Sequence, residues 1–322
     1  MKQLRISRVV AAIVACVLAL ILAAPRVARA DTAKTITLGA DLTTEQRNKV
    51  LSFFNLSEQD LSSMNVVTVT NADERRYLEG TLPTDVIGNQ TWSCSYIEPT
   101  TSGGIHVQTA NLNYVTNYTL YNALQTAGVT NCNLVVTAPF VVSGTGALTG
   151  VFMALESNGV ALDEQKKEAA TVELVETANL EQNYGEDVAK LISEVKNAIA
   201  QETGGMSEDA IRELIRSEAA KYNINISDND INMIVNIALR IRDLDYSPDA
   251  FSNTLEQISG VLNKLQETGQ KAEGILGAIQ SFFEGIANWF SSLFNGGNNV
   301  SQQAQDFFNN LNTDVFQFDK AK

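Results

Sequence analysis

The segment VVSGTGALTG, residues 141–150, has the residue types in this sequence that most suggest chemistry. It follows the apolar run NLVVT, which predicts a buried strand, and it leads into VFMALES, which predicts a helix. Glycine-rich turns between a strand and a helix hold phosphate in nucleotide-binding proteins, because backbone N–H groups at the helix N-terminus face the anion. A nucleotide site is therefore the first hypothesis that this segment raises.

The spacing of the glycines fits neither nucleotide-binding motif. The dinucleotide fingerprint needs G-x-G-x-x-G directly after a strand, whereas Gly150 lies one place late and the five residues PFVVS intervene before Gly144. A P-loop needs a lysine after the glycines, and none follows. We predict instead that Ser143 or Thr145 caps the helix. Gly144 and Gly146 would then allow a tight turn, and Gly150 would let the helix lie close to the sheet.

Other residue types that catalyse reactions are scarce. The sole histidine, His106, lies on an alternating strand and faces away from Ile105 and Val107, which predicts a solvent-facing side chain. There is no G-x-S-x-G motif, and one histidine alone does not build a histidine-based metal site. We therefore predict no catalytic residue, no metal site and no cofactor. Paired carboxylates could still hydrolyse a polymer, and those available are Asp41, Glu45, Asp73, Glu74, Glu98 and Glu156.

The N-terminus has the pattern of a secretory signal peptide. Residues 1–30 combine a basic start, the apolar run VVAAIVACVLALILAA and small residues before a cleavage position. We predict cleavage between Ala30 and Asp31, with Ala28 and Ala30 as the small residues recognised. An uncleaved anchor and lipidation at Cys16 are the alternatives, but the apolar run is short for a membrane span. We expect a secreted or extracellular protein, with association at the cell surface as one form of it.

The composition is acidic. The 322 residues include 23 lysines and arginines against 37 aspartates and glutamates, a formal net charge of −14. Five of the basic residues lie in the predicted signal peptide, so the mature chain has 18 basic and 37 acidic residues and a net charge of −19. Such a surface repels nucleic acid and anionic lipid, so we predict no nucleic-acid partner. It favours solubility, metal cations or basic partners.

Cys94 and Cys132 are the two cysteines outside the predicted signal peptide. A disulfide between them is chemically allowed outside the cell. Two separately buried thiols are the alternative, because a single pair in a long chain is not a disulfide framework. The sequence leaves both alternatives open.

Two regions of different periodicity follow the signal peptide. Residues 31–160 alternate in the order β-α-β-α-β-β-α-β-α, which predicts a mixed sheet with packed helices. Two of the strands are joined by TTSGG, which predicts a β-hairpin. Residues 161–295 have a helical pattern, and residues 296–322 form a polar tail that we expect to be poorly ordered. The predicted fold class is α+β, an N-terminal mixed sheet with helices followed by an all-helical C-terminal region.

Capping residues predict where the helices begin. Thr43 with Gln46 forms a predicted capping box, and Asn71 and Thr116 are the predicted N-caps of the next two helices. The predicted caps of the helical region are Asp163, Gly185, Ser207, Ser227 and Ser247.

An amphipathic stretch occupies residues 274–294. Its apolar residues recur at i, i+3 and i+4 spacing, which places them on one helix face. The stretch has one acidic residue and no lysine or arginine, which suits packing on helices or a partner better than a membrane surface. We predict that this face contacts a protein partner in the cell envelope, with weak contact at the membrane interface as the alternative. The residues of the face are Phe282, Phe283, Ile286, Trp289, Phe290 and Phe294.

Several segments resemble a known family. TAGVTNCNLVVTAPFVVSGTGALTGVFMALE, TITLGADLTTEQRNKVLSFF and SDNDINMIVNIALRIRDLDY resemble exported proteins of Gram-positive bacteria that are grouped as domain-of-unknown-function family one thousand and two, also labelled YpuA-like. The resemblance covers most of residues 35–265 and implies secretion and a shared fold. It implies no activity, because the family is named for having none assigned. The residues that carry its most specific motif are Ser143, Gly144, Thr145, Ala147, Leu148 and Gly150.

The leading functional prediction is a non-enzymatic exported protein of the Gram-positive envelope that binds a protein partner. The alternative is a carboxylate-based hydrolase that acts on a wall or extracellular polymer. A third interpretation is a binder of a small ligand or a cation in a cleft near VVSGTG.

Overall fold

The computed structural model describes residues 34–82, 84–202, 204–251, 306–307 and 310–312. The predicted signal peptide, with Ala28, Ala30 and Asp31, lies outside these residues, and so does the amphipathic stretch 274–294. Of the helix predicted after Ser247, residues 248–251 are described and form a turn, and the rest lies outside the described residues. What we predicted for those segments stays a prediction.

A five-stranded mixed sheet forms the centre of the N-terminal part. Its strands are β1 (Thr35–Gly39), β2 (Asn65–Val69), β3 (Cys94–Pro99), β4 (Ile105–Thr109) and β5 (Cys132–Thr137). Their order across the sheet is β2-β1-β3-β5-β4. β1 is parallel to β2 and β5 is parallel to β4, whereas β3 is antiparallel to both of its neighbours. The predicted mixed sheet is therefore confirmed.

Helices pack on this sheet and continue after it. Those of the sheet region are α1 (Thr44–Phe53), α2 (Asn71–Leu78), α3 (Thr84–Ile87), α4 (Asn117–Thr126) and α5 (Gly146–Ser157), with a 3-10 turn at Asp60–Ser63. Those that follow are α6 (Glu164–Tyr184), α7 (Asp187–Gln201), α8 (Glu208–Lys221) and α9 (Asp228–Arg242). The predicted α+β class, with helices after the sheet, is confirmed.

The predicted hairpin between the third and fourth strands is wrong. β5 lies between β3 and β4, so these two strands do not pair. The physical reason is burial, because every residue of β5 is buried whereas three of the five residues of β4 are only half-buried. An apolar strand is stable in the interior of a sheet, and the more polar β4 suits the edge. The parallel strands β4 and β5 are joined through α4, as parallel neighbours require a crossover.

Side-chain caps begin the helices mostly where they were predicted. Thr43 and Gln46 form the capping box of α1, with Gln46 N donating to Thr43 Oγ1 at 3.2 Å. α2 is capped one residue earlier than predicted, because Thr70 rather than Asn71 exchanges hydrogen bonds with Asp73. The other predicted caps that are confirmed as helix starts are Thr116, Asp163, Ser207 and Ser227. Gly185 is instead the residue that ends α6, and Glu186 precedes α7 without a side-chain cap.

Both faces of the sheet are covered. On one face, Ile97 of β3 and Leu134 of β5 belong to an apolar cluster with residues of α4 and α5. On the other face, Tyr96 packs against Phe54, at the end of α1, with ring centroids 5.5 Å apart. The alternation of side chains along β3 places Tyr96 and Ile97 on opposite faces.

Part of the predicted polar tail packs against this second face. Phe307 is 2% exposed, and its ring stacks on Tyr96 with centroids 4.9 Å apart. Asn312 N donates a hydrogen bond to Phe53 O at 2.8 Å. Sequence analysis did not anticipate this contact, because the few phenylalanines of this polar segment have no regular periodicity to indicate burial.

The helices after the sheet share a second apolar core. Its buried residues include Leu180 of α6, Ile192 of α7, Ile215 of α8 and Ile234 of α9. α6 also packs along α4, so the helical part and the sheet part share a buried contact. The domain boundaries at residues 160 and 295 stay predictions. Within the described residues, no helix combines the length and the apolar character that crossing a membrane requires.

Candidate functional site

The glycine segment lines a pocket at one edge of the sheet. β1, β2, β4 and β5 all run in the same direction, and the pocket lies where β2 and β5 end. Ligands of α/β sheets bind in crevices at the carboxyl ends of parallel strands. The pocket has a volume of about 370 Å³. Its lining includes Glu74, Ile87, Trp92, Phe140, Ser143 and Gly146.

Glu74 is the buried acid of this pocket. It belongs to the first turn of α2 and is 3% exposed. A β-carbon added to Gly146 would lie 2.4 Å from Glu74 Oε1, so the carboxyl group fills the space that a side chain at position 146 would take. The missing side chain of Gly146 therefore lets Glu74 lie against the N-terminus of α5.

The surroundings of Glu74 favour its neutral form. Burial raises the pKa of Glu74 to about 7. The Thr91 hydroxyl and the Arg75 guanidinium oppose this rise, whereas the Asp41 carboxylate adds to it. Thr91 Oγ1 is nevertheless buried and has no well-aligned hydrogen-bond partner among the described residues. Arg75 is hydrogen-bonded to another lining residue rather than to Glu74, since its Nη2 donates to Gly88 O at 2.7 Å. No lysine or arginine in the described part of the chain forms an ion pair with Glu74.

Apolar side chains form the rim of the pocket. Phe140 and Val141 are each 37% exposed, and among the described residues Val66 of β2 is the one further large apolar side chain with comparable exposure. The Trp92 ring lies edge-on to Phe140, with centroids 5.2 Å apart and an interplanar angle of 64°. The pocket thus combines a buried carboxyl group with an apolar rim. This combination is typical of sites that bind amphipathic ligands.

Two predictions for the glycine segment are confirmed. Gly144 has a φ of 85°, in the left-handed region that favours glycine, and it makes the tight turn before α5. A β-carbon on Gly150 would lie 3.0 Å from Thr37 Oγ1, so the absence of a side chain lets α5 approach β1. Ala147 and Leu148 are buried in the core beneath the segment. The family motif therefore shapes the turn and the packing of α5.

The predicted side-chain cap of α5 is wrong. Thr145 precedes the helix with φ −59° and ψ −36°, which are already helical angles, and it makes no capping hydrogen bond. A capping side chain reaches the backbone N–H groups of the first turn from an extended residue. The Ser143 and Thr145 hydroxyl oxygens lie 3.3 Å apart and bond to each other instead.

His106 is not solvent-facing, contrary to prediction. The residue is half-buried, and its Nδ1 is buried with no hydrogen-bond partner among the described residues. Its neighbour on β5, Asn133, is 1% exposed, because this face of the sheet is covered as well. Burial lowers the pKa of His106 to about 4. His106 does not line the pocket.

Cys94 and Cys132 are free, buried thiols. In the ladder of β3 and β5, Cys94 is opposite Thr137 and Cys132 is opposite Pro99, so the two cysteines lie at opposite ends. Strand geometry separates them by about 17 Å, far beyond the reach of a disulfide. Burial raises the pKa of each thiol to about 12. Of the two alternatives, the structure has the separate thiols.

The carboxylates considered for hydrolysis are dispersed. Of these, Glu74 alone lines the pocket, and Asp41 Oδ2 is held outside it by Thr91 N at 2.7 Å. Glu45 is exposed in the first turn of α1. Within the described residues, no three His, Cys, Asp or Glu side chains are grouped so that they could hold a metal ion. The others have structural contacts, namely Asp73 in the cap of α2, Glu98 with Lys34 and Glu156 with Lys167.

Sequence reasoning placed a cleft near VVSGTG, where the pocket lies, but it did not identify the residues that line the rest of the pocket. Glu74 was one of six acids with nothing to distinguish it, and Trp92 was not considered. A further local signal was the run Phe140-Val141-Val142, which is apolar although it lies in a turn. Apolar residues in a turn are unusual unless they contact something, and this signal could have identified the rim.

Comparison with known proteins identifies relatives along most of the chain. Residues 38–258 match a family described as protein of unknown function (DUF1002). The matched range includes every residue that lines the pocket. An uncharacterized protein of Bacillus subtilis (strain 168), YpuA, is 32% identical over 300 residues, which cover 91% of this chain and 100% of the relative. No solved structure matches. The chain therefore belongs to the DUF1002 family of proteins of unknown function.

Proposed function

We propose that this protein is an exported, non-enzymatic binding module of the cell envelope, and that it contacts a partner protein at the pocket rim formed by Phe140 and Val141. The observation that carries the proposal is the 37% exposure of these two consecutive apolar side chains beside a concave pocket. The proposal of export rests on the signal-peptide pattern of residues 1–30.

The arrangement of the rim supports a protein contact. Exposed apolar patches next to polar surface commonly mark interaction sites, and aromatic residues supply much of the energy of such interfaces. The edge-on contact between Trp92 and Phe140 restricts the motion of the Phe140 ring, which lowers the entropy cost of binding a partner. The acidic charge of the chain favours a partner with a basic surface.

Photo-crosslinking at Val141 tests the proposal. The mature protein carries a photoreactive amino acid at position 141 and is illuminated on intact cells, followed by mass spectrometry of the captured species. The matched control carries the same amino acid at Val66, which has the same 37% exposure but lies on β2. We expect one stoichiometric partner from position 141 and none from position 66.

Three outcomes would overturn the proposal. Capture of nothing from position 141, or equal capture from both positions, would show that the rim has no specific partner. A crosslink from position 141 to residues 274–294 of the same chain would show that the rim is an internal contact. A variant lacking residues 274–294 separates the two predicted contacts, since we expect it to retain capture at position 141.

Hydrolysis is the second candidate function, and one observation favours it. The raised pKa of Glu74, with Asp41 as a neighbouring carboxylate, resembles the paired acids of glycoside hydrolases, in which one acid is kept protonated. Purified protein incubated with cell-wall polymer tests this candidate through the release of new polymer ends. We expect no release, whereas release that disappears in Glu74→Gln would establish hydrolysis in place of binding.

A further inference from the structure

We infer that the pocket binds a primary ammonium group carried on an alkyl stem, namely a lysine side chain of the partner, and that Glu74 is the group that pairs with it. The inference rests on the proposed binding function and names the chemistry that the pocket selects.

Charge is the first argument. Glu74 is 3% exposed and has no lysine or arginine as an ion-pair partner within the described residues. The cation nearest in sequence, Arg75, is engaged elsewhere, because its Nε donates to Asn71 Oδ1 at 2.9 Å and its Nη2 to Gly88 O. A buried carboxylate without a cation is costly, and a ligand that supplies the cation removes that cost.

The position of Glu74 also excludes an anionic ligand. The N-terminus of α5 would attract phosphate or carboxylate through its free N–H groups. The Glu74 carboxyl group lies beside this end of the helix, in the space that a side chain of Gly146 would take. A second anion in the pocket would be repelled by ionised Glu74 and by Asp41, whose carboxylate lies outside the pocket but close enough to raise the pKa of Glu74.

The walls of the pocket fit an alkyl stem. Ile87, Trp92 and Phe140 line the pocket together with Glu74 and present apolar surface, beside polar residues that include Asn89 and Gln90. Lysine buries its four methylene groups along such surfaces while its ammonium group reaches a polar partner. A ligand with an ammonium end and an apolar stem therefore matches both the base and the walls of the pocket.

Binding of an ammonium group at Glu74 is expected to depend on pH. The charged and titratable groups that face Glu74 are Asp41 before α1 and Arg75 on α2, together with the Thr91 hydroxyl before β3. In the empty pocket, the pKa of Glu74 is about 7, so the carboxyl group must lose its proton before it pairs with a cation. Affinity should therefore rise with pH until Glu74 is fully ionised.

A fluorescence titration tests the inference. Trp92 becomes the sole tryptophan of the full chain in a Trp289→Phe background, and it reports on the pocket that it lines. The first probe is Nα-acetyl-lysine methylamide, which keeps the side-chain ammonium group. The second is Nα-acetyl-norleucine methylamide, which has an uncharged alkyl side chain and serves as the control. We expect saturable binding of the lysine compound alone, with an affinity that rises roughly 100-fold from pH 5 to pH 8.

Two variants and one control assign the effect to Glu74. Glu74→Gln keeps the shape of the group and should weaken binding by roughly tenfold or more. Gly146→Ala displaces the carboxyl group without removing its charge and should also weaken binding. Glu79→Gln, on an exposed acid at the end of α2, should leave binding unchanged.

The inference fails under several results. Absence of binding, equal binding of the norleucine compound, tighter binding at pH 5, or an unaffected Glu74→Gln variant would each overturn it. If 1,5-diaminopentane binds and the lysine methylamide compound does not, the ligand of the pocket is a free diamine. This result would overturn the inference that the ligand is a lysine side chain. If the partner is still captured at position 141 in Glu74→Gln cells, the binding function stands although the inference about lysine has failed.

Discussion

Glu74 and Glu173 are both buried acids, but their surroundings differ. Glu173, on α6, is 0% exposed, and its Oε1 accepts a hydrogen bond from Lys196 Nζ on α7 at 2.8 Å. Glu74 is 3% exposed, lines a pocket and forms no ion pair with any described residue. A buried acid with a cation of its own chain serves the packing of helices, whereas one that faces a pocket without a cation is available to a ligand.

Glu173 and Lys196 each make further hydrogen bonds besides their ion pair. Lys196 Nζ also donates to Asn122 O at 2.8 Å and lies 4.8 Å from the centre of the Phe251 ring. The Thr126 hydroxyl donates to the second oxygen of Glu173. Burial lowers the pKa of Lys196, and the Glu173 carboxylate opposes that fall. These contacts join α4 of the sheet region to α6 and α7.

The largest expected effect comes from breaking this pair. Lys196→Met leaves Glu173 buried without a cation, and we expect the free energy of unfolding to fall by about 3–5 kcal/mol. Urea unfolding followed by circular dichroism measures the loss. The double variant Lys196→Met with Glu173→Leu should regain most of it, because no charge is then left unpaired. A single variant as stable as the wild type would contradict the assigned role.

A smaller effect is expected from the pH dependence that Glu74 contributes. Its folded pKa of about 7 exceeds the ordinary value of 4.5, so the folded state binds more protons between these pH values. Stability from this group is therefore full below pH 4.5 and falls as pH rises through 7, by up to about 3 kcal/mol.

Glu74→Gln removes this pH dependence. The stability of the variant relative to the wild type should increase between pH 4.5 and pH 8, as measured by urea unfolding at a series of pH values. Glu181, whose pKa burial raises to about 8, contributes a similar decline to both proteins and cancels in the difference. If the free energy of unfolding depends on pH in the same way in the two proteins, the ionisation of Glu74 does not destabilise the fold. That result would remove the contrast with Glu173.

The smallest effect is expected at His106, which is half-buried and whose pKa is shifted by burial alone among the described residues. It is the sole histidine, so its ring protons give one set of resonances in a proton NMR titration. We expect an apparent pKa of about 4, with no titration near 6.5. A folded pKa below the unfolded value means that stability from this group is present above pH 6.5 and is lost as pH falls towards 4. An ordinary pKa would instead support the solvent-facing side chain predicted from the sequence.

Much of the local structure could be predicted from the sequence. Thr43 with Gln46, Thr116 and Ser227 begin helices because a cap is formed by residues three positions apart, which the sequence displays directly. Gly144 and Gly150 were also predicted correctly, since a tight turn and a close approach each depend on a missing side chain.

The failures share a cause. The strands β3 and β4 are neighbours in the sequence, but β5 separates them because its fully buried residues need the interior of the sheet. His106 was expected in solvent because alternation predicts two faces and does not show whether a distant segment covers the second one. Thr145 has the right type for a cap, but its backbone angles follow from the turn at Gly144.

The sequence by itself determined the α+β class, most helix starts, the acidic charge and membership of the family, because each depends on composition or on residues close together in the chain. Only the tertiary structure decided which buried acid has a cation and which faces a pocket. Glu74 and Phe140 are far apart in sequence, as are Thr126 and Lys196, and whether such side chains meet depends on how strands and helices pack. The cost of a buried charge depends on its neighbours in space, so the contrast between Glu74 and Glu173 arises only in the folded chain.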